Sequence, residues 1–416
     1  MSITDARARA TTGSYWIRPG LDVQDDVLHI ANRNTLDLAA SAQLPVFVTD
    51  LASIGVQARK LHSAIANAGL EPCVRLAIKA QREPEILRYI RSLGADDPAE
   101  RVGIDACSPN EVDYAIAHGW APSEISCTGT NMTDEDLQRV IDHGAHLNLD
   151  LLSQLERYGR LAPGSRAGIR INPRAGAAWG GRKSLYAGTK PTKFGIYEEQ
   201  IPVAIEIARR HGIAIDTVHM HVADGFLSEG LGEIERAVSV AASVTRKLKS
   251  EGFPVEEVNT GGGVGIQLRN EDAALNLAEW ADILKRHLGP LEVRVGTEPG
   301  NFLTKQSTIV IAEVVTVEDR LGERFIGLNV GWNVVSFKFL YDVPFTFVPC
   351  RNPLADPIGL ATISGNINEG NDLFAENIPF PAVEEGDYIA ILNAGGYNQA
   401  MQSDHCLRPR AGTICF

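Results

Sequence analysis

Val74-Arg75-Leu76-Ala77-Ile78-Lys79-Ala80 is an alternating run that ends in a cation. Val74, Leu76 and Ile78 fall at every second position, and Cys73 and Ala77 are uncharged, so the spacing predicts a buried strand over 73–79. A lysine at the end of such a strand is partly desolvated. Desolvation disfavours the ammonium and favours the neutral amine, which can attack a carbonyl. The alternative is a lysine that snorkels to the surface.

The same rhythm continues on both sides of this run. Before it come a strand over 45–50 and a helix over 51–70. After it, strands are predicted at 102–106, 124–128, 145–150, 166–171, 217–222, 257–261 and 292–298. Helical spacing fills the intervals, as at 82–93, 109–118, 133–143, 198–211, 231–250 and 272–287. Eight short strands alternating with helices predict an α/β fold, a (β/α)8 TIM-type barrel. An open doubly wound sheet is the alternative. Residues 172–216 are too long for an ordinary connection and include the Gly-rich run 176–181, which predicts a loop over the active face. The pattern changes after Gly300. Strands at 307–317, 325–330, 345–348, 360–364 and 388–394 predict an all-β domain. Strand-like pieces at Tyr15-Trp16-Ile17 and Val27-Leu28-His29-Ile30 join it, so the barrel is expected over 45–300 and the β domain over 1–44 and 301–416.

Composition narrows the function classes. The chain has 416 residues, 44% hydrophobic and 22% charged, as in ordinary globular proteins. No apolar run is long enough for a membrane span, and Met1–Arg7 lacks the apolar core of a signal peptide. A net charge of −13 argues against a nucleic-acid partner and is compatible with a cationic small substrate. The six cysteines form no CxxC pair and read as buried reduced thiols of a cytoplasmic protein.

Functional groups of a (β/α)8 barrel sit at the C-terminal ends of its strands. Lys79 ends the first strand, Arg170 the fifth, His219-Met220-His221 the sixth, Gly261-Gly262-Gly263 the seventh and Glu298-Pro299-Gly300 the eighth. A lysine, a phosphate loop, an aromatic stacker and a carboxylate together suit pyridoxal 5′-phosphate. The lysine would hold the aldehyde as a Schiff base, and the three glycines would present bare amides to the phosphate. One imidazole would stack on the ring, and Glu298 would face the pyridine nitrogen. Arg170 contacts the cofactor side or makes a structural ion pair. His219 and His221 could bind zinc, but no third ligand has matching spacing and there is no HExxH, so no metal is expected. Ser108, Pro109 and Glu111 read as a capping box, with Ser108 as N-cap.

In this order the motifs resemble the fold-type III pyridoxal-phosphate decarboxylases, which include diaminopimelate, ornithine and biosynthetic arginine decarboxylases. The matching residues are Ala77-Ile78-Lys79-Ala80, Asp105-x-x-Ser108-x-x-Glu111, Lys193-Phe194-Gly195-Ile196, His219-x-His221, Gly261–Gly263, Glu298-Pro299-Gly300, Leu340-Tyr341-Asp342 and Gly395-Gly396-Tyr397. The resemblance implies an alanine-racemase-like barrel with a C-terminal β domain. It implies that Lys79 carries the cofactor, His221 stacks on the ring and Glu298 pairs with the pyridine nitrogen. Gly261, Gly262, Gly263 and Tyr397 would hold the phosphate, with Gly300, Asn301 and Arg170 also at the cofactor. It further implies a homodimer in which Asp342, Glu369 and Asp372 of the β domain reach the substrate across the interface.

The departures from that family shape the expected function. Asn301 and Phe337 stand where diaminopimelate enzymes carry arginines for the distal carboxylate. Val222-Ala223-Asp224-Gly225 replaces the usual glycine-serine pair after His221, and Asn368 replaces the cysteine that reprotonates Cα. The expectation is a decarboxylase acting at Cα of an amino acid with a polar or basic distal group, and not on diaminopimelate. Lys79, Glu298 and Asn368 are its candidate catalytic residues. Racemisation, or carbon–carbon lyase or transferase chemistry from the same carbanion, is the first alternative. A cofactor carrier without catalysis and a metal-dependent barrel hydrolase are the others.

Overall fold

The computed structural model describes residues 14–95, 97–188 and 190–416. The Met1–Arg7 stretch lies outside them. Eight parallel strands form the barrel: β1 (Pro72–Ala77), β2 (Val102–Ala106), β3 (Ile125–Cys127), β4 (His146–Leu149), β5 (Arg166–Asn172), β6 (Ala214–His219), β7 (Glu257–Asn259) and β8 (Arg294–Thr297). Neighbours in sequence pair in space. Thr297 lies opposite Val74, and Asn148 opposite Gly168, so the sheet closes on itself. The open doubly wound alternative is therefore excluded. Eight helices accompany the strands: α1 (Leu51–Asn67), α2 (Pro84–Ser92), α3 (Pro109–Ala117), α4 (Asp134–His143), α5 (Leu152–Leu161), α6 (Ile201–His211), α7 (Leu231–Ser250) and α8 (Leu277–Leu288).

Strand alternation sorts the side chains of β1 into two sets. Val74, Leu76 and Ile78 are buried hydrophobics. Arg75 and Lys79 have the other parity, and both find polar partners on other strands of the barrel. The same parity recurs elsewhere: Asn148 on β4 donates to Ser126 and Thr128, and Asn259 on β7 donates to Glu298 after β8. This barrel interior is thus polar rather than filled with branched aliphatics, and inward-facing Lys79 is aligned with that polar set. The strands end earlier than their alternation suggested. Lys79, His221 and Gly261 each lie two residues past a strand end, in the loops of the C-terminal face.

Compact packing divides the chain into two units. One contains Val56–Ile266 and Ala273–Leu303, with the barrel; the other contains the chain up to Gly55, Gln267–Asp272 and Thr304–Phe416. The second unit is built on a mixed sheet of β9 (Thr308–Arg320), β10 (Glu323–Leu328), β11 (Thr346–Pro349), β12 (Gly359–Ser364), β13 (Leu373–Phe380) and β14 (Tyr388–Leu392), in the order β11-β14-β9-β10-β12-β13. Its core gathers Trp16, Leu28, Ile30, Val46, Val48, Ile309, Ile311 and Leu392.

Several local expectations change. The strand Val46–Thr49, expected to open the barrel domain, pairs with β9 and with β15 (Gly412–Cys415) in the β unit. Tyr15-Trp16-Ile17 forms a turn rather than a strand. β13 was not anticipated, because Glu376 and Asn377 interrupt its apolar alternation. No disulfide joins the six cysteines, but only Cys127 and Cys350 are buried, and Cys406 is exposed on a short helical turn. The capping box at α3 is offset. Ser108 accepts from Glu111 N as expected, but the Glu111 carboxylate reaches Cys107 N at 2.7 Å. Among the described residues no helix is long and apolar enough to cross a membrane.

Candidate active site

Lys79 stands at the mouth of the barrel. Its Nζ lies 3.6 Å from Asp105 Oδ2 and 3.2 Å from Cys107 Sγ, and its side chain keeps 38% of its exposure. It is therefore anchored among polar groups, not isolated in the apolar surroundings that its strand suggested. Burial and then Glu298 push the Asp105 carboxyl well up, although Lys79 opposes them. Burial also pushes the Cys107 thiol up to about 12, so it keeps its proton near neutral pH.

Glu298 is buried just past β8 and held at both oxygens. Asn259 Nδ2 donates to Oε1 at 2.7 Å, and His219 Nε2 lies 3.1 Å from Oε2. Burial raises a carboxyl, but His219, Lys79 and His221 outweigh it and hold Glu298 at about 2. His221 is fixed differently. Its Nδ1 accepts from Gly262 N at 3.1 Å, which leaves Nε2 to carry the proton of the neutral ring. Burial, with the charges of Lys79 and Arg170 adding to it, holds the His221 imidazole well below its ordinary range. Tyr186 from the long loop braces this ring edge-on, 4.5 Å between centroids.

Arg170 is 5% exposed, 3.5 Å from Asp150 Oδ1 and stacked over Phe194 at 4.4 Å. Asp150 also accepts from Gly195 N, so the Lys193–Ile196 motif serves to close the long loop onto β4 and β5. That loop also pairs with the segment after His221: Trp179 N donates to Asp224 O and Asp224 N to Ala177 O.

The glycine run differs from its expected role. Gly261 N donates to Asn259 Oδ1 and Gly262 N to His221 Nδ1, so neither amide is bare. Glycine is required here by close packing. A Cβ at Gly262 would strike the Glu298 carbonyl oxygen, and one at Gly263 the Ala223 carbonyl oxygen. The run locks β7 to the ends of β6 and β8 before it offers anything to an anion.

Gly300 and Asn301 follow Glu298 in the barrel unit, and Asn301 Oδ1 is buried without a hydrogen-bond partner among the described residues. The remaining candidates lie in the β unit. Tyr397 adopts φ +64° beside Phe337, 6.0 Å between ring centroids, and near Tyr341. Asp342 caps the short helix Phe337–Tyr341 with φ +51°. Asn368 is exposed, and Glu369 pairs with His405 at 3.2 Å. Asp372 is 3% exposed and accepts Trp332 N and Ile367 N, so it ties two loops together. Sequence reading missed Asn259 and Cys107 as site residues and named Asp105 only as part of a family motif, with no role. The one available signal was position, since all three lie at or just past the C-terminal end of a barrel strand.

Residues 51–305 match the pyridoxal binding domain of the pyridoxal-dependent decarboxylases. The chain belongs to this family. It is 29% identical over 409 residues to the diaminopimelate decarboxylase of Methanothermobacter thermautotrophicus, covering 95% of this chain and 92% of that protein. Its fold is shared by diaminopimelate decarboxylase from Helicobacter pylori complexed with L-lysine, with a TM-score of 0.83 at 23% identity over 92% of this chain and 94% of the other. It is shared also by the lysine/ornithine decarboxylase complexed with putrescine from Vibrio vulnificus, with a TM-score of 0.78 at 21% identity over 93% and 98%. This pyridoxal-dependent decarboxylase is thus a carboxy-lyase that uses pyridoxal phosphate and acts on an amino acid.

The barrel mouth of the decarboxylase fits that cofactor chemically. Lys79 is an accessible amine, Glu298 a carboxylate held ionised, and His221 a neutral ring. Asp105 Oδ1, His219 Nδ1 and Asn301 Oδ1 are buried polar atoms without hydrogen-bond partners among the described residues. Among the described residues no three His, Cys, Asp or Glu side chains are grouped to hold a metal ion.

Proposed function

We propose that the enzyme removes the α-carboxylate of an amino acid whose distal group is polar or basic, with ornithine- and lysine-like compounds preferred over diaminopimelate. The observation that carries this reading is that the accessible amine of Lys79, 3.6 Å from Asp105, and a buried carboxylate, Glu298, held ionised by two donors, both stand at the C-terminal face of the barrel. Lys79 would hold the cofactor, with Asp105 3.6 Å away to orient its amine. His221 would stack on the ring, Arg170 would lie beside it, and Gly263, Gly300, Asn301 and Tyr397 would serve the phosphate end. Bound there, pyridoxal phosphate would supply an electron sink that stabilises negative charge at Cα. Glu298, held anionic, would favour a proton on the ring nitrogen. Asn368 is no acid near neutral pH, so the proton that replaces carbon dioxide comes from another group.

Two positions support the distal preference. Asn301 offers a neutral amide. Phe337 is buried, with the Lys305 ammonium 3.3 Å above its ring. Neither provides the bidentate guanidinium that grips a carboxylate. The named relatives instead favour diaminopimelate, so the decisive experiment is carbon dioxide release from L-ornithine, L-lysine and meso-diaminopimelate. A kcat/KM at least about tenfold higher for one of the first two is expected, since a pocket that cannot pair a buried charge rejects its bearer. Efficient turnover of meso-diaminopimelate overturns the preference. The reading includes a cytoplasmic homodimer, with Asp342 and Glu369 contributed to the partner's site.

A further inference from the structure

Asn259 ends β7 and is fully buried. Its side chain makes two bonds of opposite sense. Nδ2 donates to Glu298 Oε1 at 2.7 Å, and Oδ1 accepts from Gly261 N at 2.9 Å. Only one orientation of the amide allows both, because the reverse would set oxygen against carboxylate oxygen and NH2 against N–H. Gly261 is in turn held by β8: its carbonyl accepts Glu298 N at 2.8 Å and Thr297 Oγ1 at 3.0 Å. Asn259, Gly261 and Glu298 therefore form a closed ring of hydrogen bonds. Gly296 makes room for it, since a Cβ there would lie 3.0 Å from Asn259 Cβ.

We propose that Asn259 is a positioning residue that orients the Glu298 carboxylate toward the cofactor ring and couples it to the glycine turn. The inference rests on the reading above, in which Glu298 faces the pyridine nitrogen. His219 holds Oε2, and Asn259 must hold Oε1 without adding charge. A carboxamide does so, and a side chain without a donor cannot. Alanine would leave Oε1 without the Asn259 donor and Gly261 N without its acceptor, so the carboxylate would no longer be fixed toward the ring. The other groups that act on Glu298 are Lys79, His221, Asp105 and Arg75, and none of them changes in that substitution.

The test uses the cofactor-free protein and 4′-deoxypyridoxine 5′-phosphate, an analogue that lacks the aldehyde and so binds without reacting with Lys79. Its ring absorbance reports protonation of the pyridine nitrogen across pH. In the wild type the bound ring should keep its proton to higher pH than the free analogue. Asn259→Ala should lower that transition by about one pH unit and weaken binding of the protonated analogue about tenfold. In a Glu298→Gln background the same substitution should change neither, because the charge that Asn259 orients is already gone. Asn259→Leu, closer in volume, provides the same comparison if the alanine variant does not fold. The inference is overturned if the Asn259 variants titrate like the wild type, or if their effect persists beside Glu298→Gln. A wild type that fails to bind the analogue removes the cofactor-site reading and this inference with it.

Discussion

The two ends of the barrel treat buried charge in opposite ways. Toward the N-terminal ends of the strands, Arg75 grips Glu257 with two bonds of 2.6 and 3.0 Å, and Arg294 approaches the same carboxylate at 3.3 Å. Beside them Asp216 is shared by His146 at 2.7 Å and Arg166 at 2.9 Å. At the C-terminal ends Lys79 is 3.6 Å from Asp105, and Asp105 Oδ1, His219 Nδ1 and Asn301 Oδ1 find no hydrogen-bond partner among the described residues. A carboxylate saturated by arginine is a strut. A buried polar atom left unpaired costs stability, and a fold retains it where something else is to be bound. Charge by itself does not distinguish a site from a scaffold, since the oxygens of Glu298 and of Glu257 are all paired; the accessible Lys79 amine beside a buried, incompletely paired Asp105 does.

The sharpest way to break that comparison is Lys79→Ala. Turnover should fall by at least about 10³-fold, and borohydride should fix no cofactor on the chain, while the melting temperature hardly moves. A reducible lysine-linked cofactor in this variant would sink the assignment. Arg75→Met should show the reverse pattern. It strands Glu257 as a buried, poorly compensated anion, so urea unfolding should reveal a loss of about 3–5 kcal/mol with kcat per folded molecule near the wild-type value. If activity falls while stability holds, the lower network is not a scaffold.

Glu298→Gln removes a carboxylate of the C-terminal end that is nonetheless fully paired, and is the subtlest. Turnover should drop by about 10²-fold with smaller loss of cofactor occupancy. Its carboxyl is held at about 2 against an ordinary 4.5. A depressed folded value contributes stability above the unfolded value, and that stability is lost as pH falls toward the folded one. Between pH 4.5 and about 2 the wild type should therefore lose stability faster than Glu298→Gln. Parallel pH–stability curves would mean that the carboxylate gains nothing from His219 and Asn259.

Much of the site was legible because strand geometry is local. The parity of Val74, Leu76 and Ile78 places Arg75 and Lys79 on the opposite side, and the barrel rule places the strand ends on one face. Partners were not legible. His219 meets Glu298 across 79 positions of sequence, and Asn259 meets it across 39. Those meetings depend on the register of strands that pair only when the barrel closes. The glycine run shows the same limit. Three glycines after a strand announce close backbone approach, but not that two of their amides turn to Asn259 and His221.

By itself the sequence determined the barrel, the separate β-rich region, the lysine and carboxylate at the strand ends, and through its motifs the family. Each of these follows from periodicity or from a short run of neighbouring residues. Tertiary structure alone decided that Val46–Thr49 joins the β sheet, that Asp372 clamps loops, and that Asn259 and His219 hold Glu298. The physical reason is common to all three. A hydrogen bond is chosen by what stands within about 3 Å, and in a closed barrel or a mixed sheet those neighbours come from distant stretches of the chain.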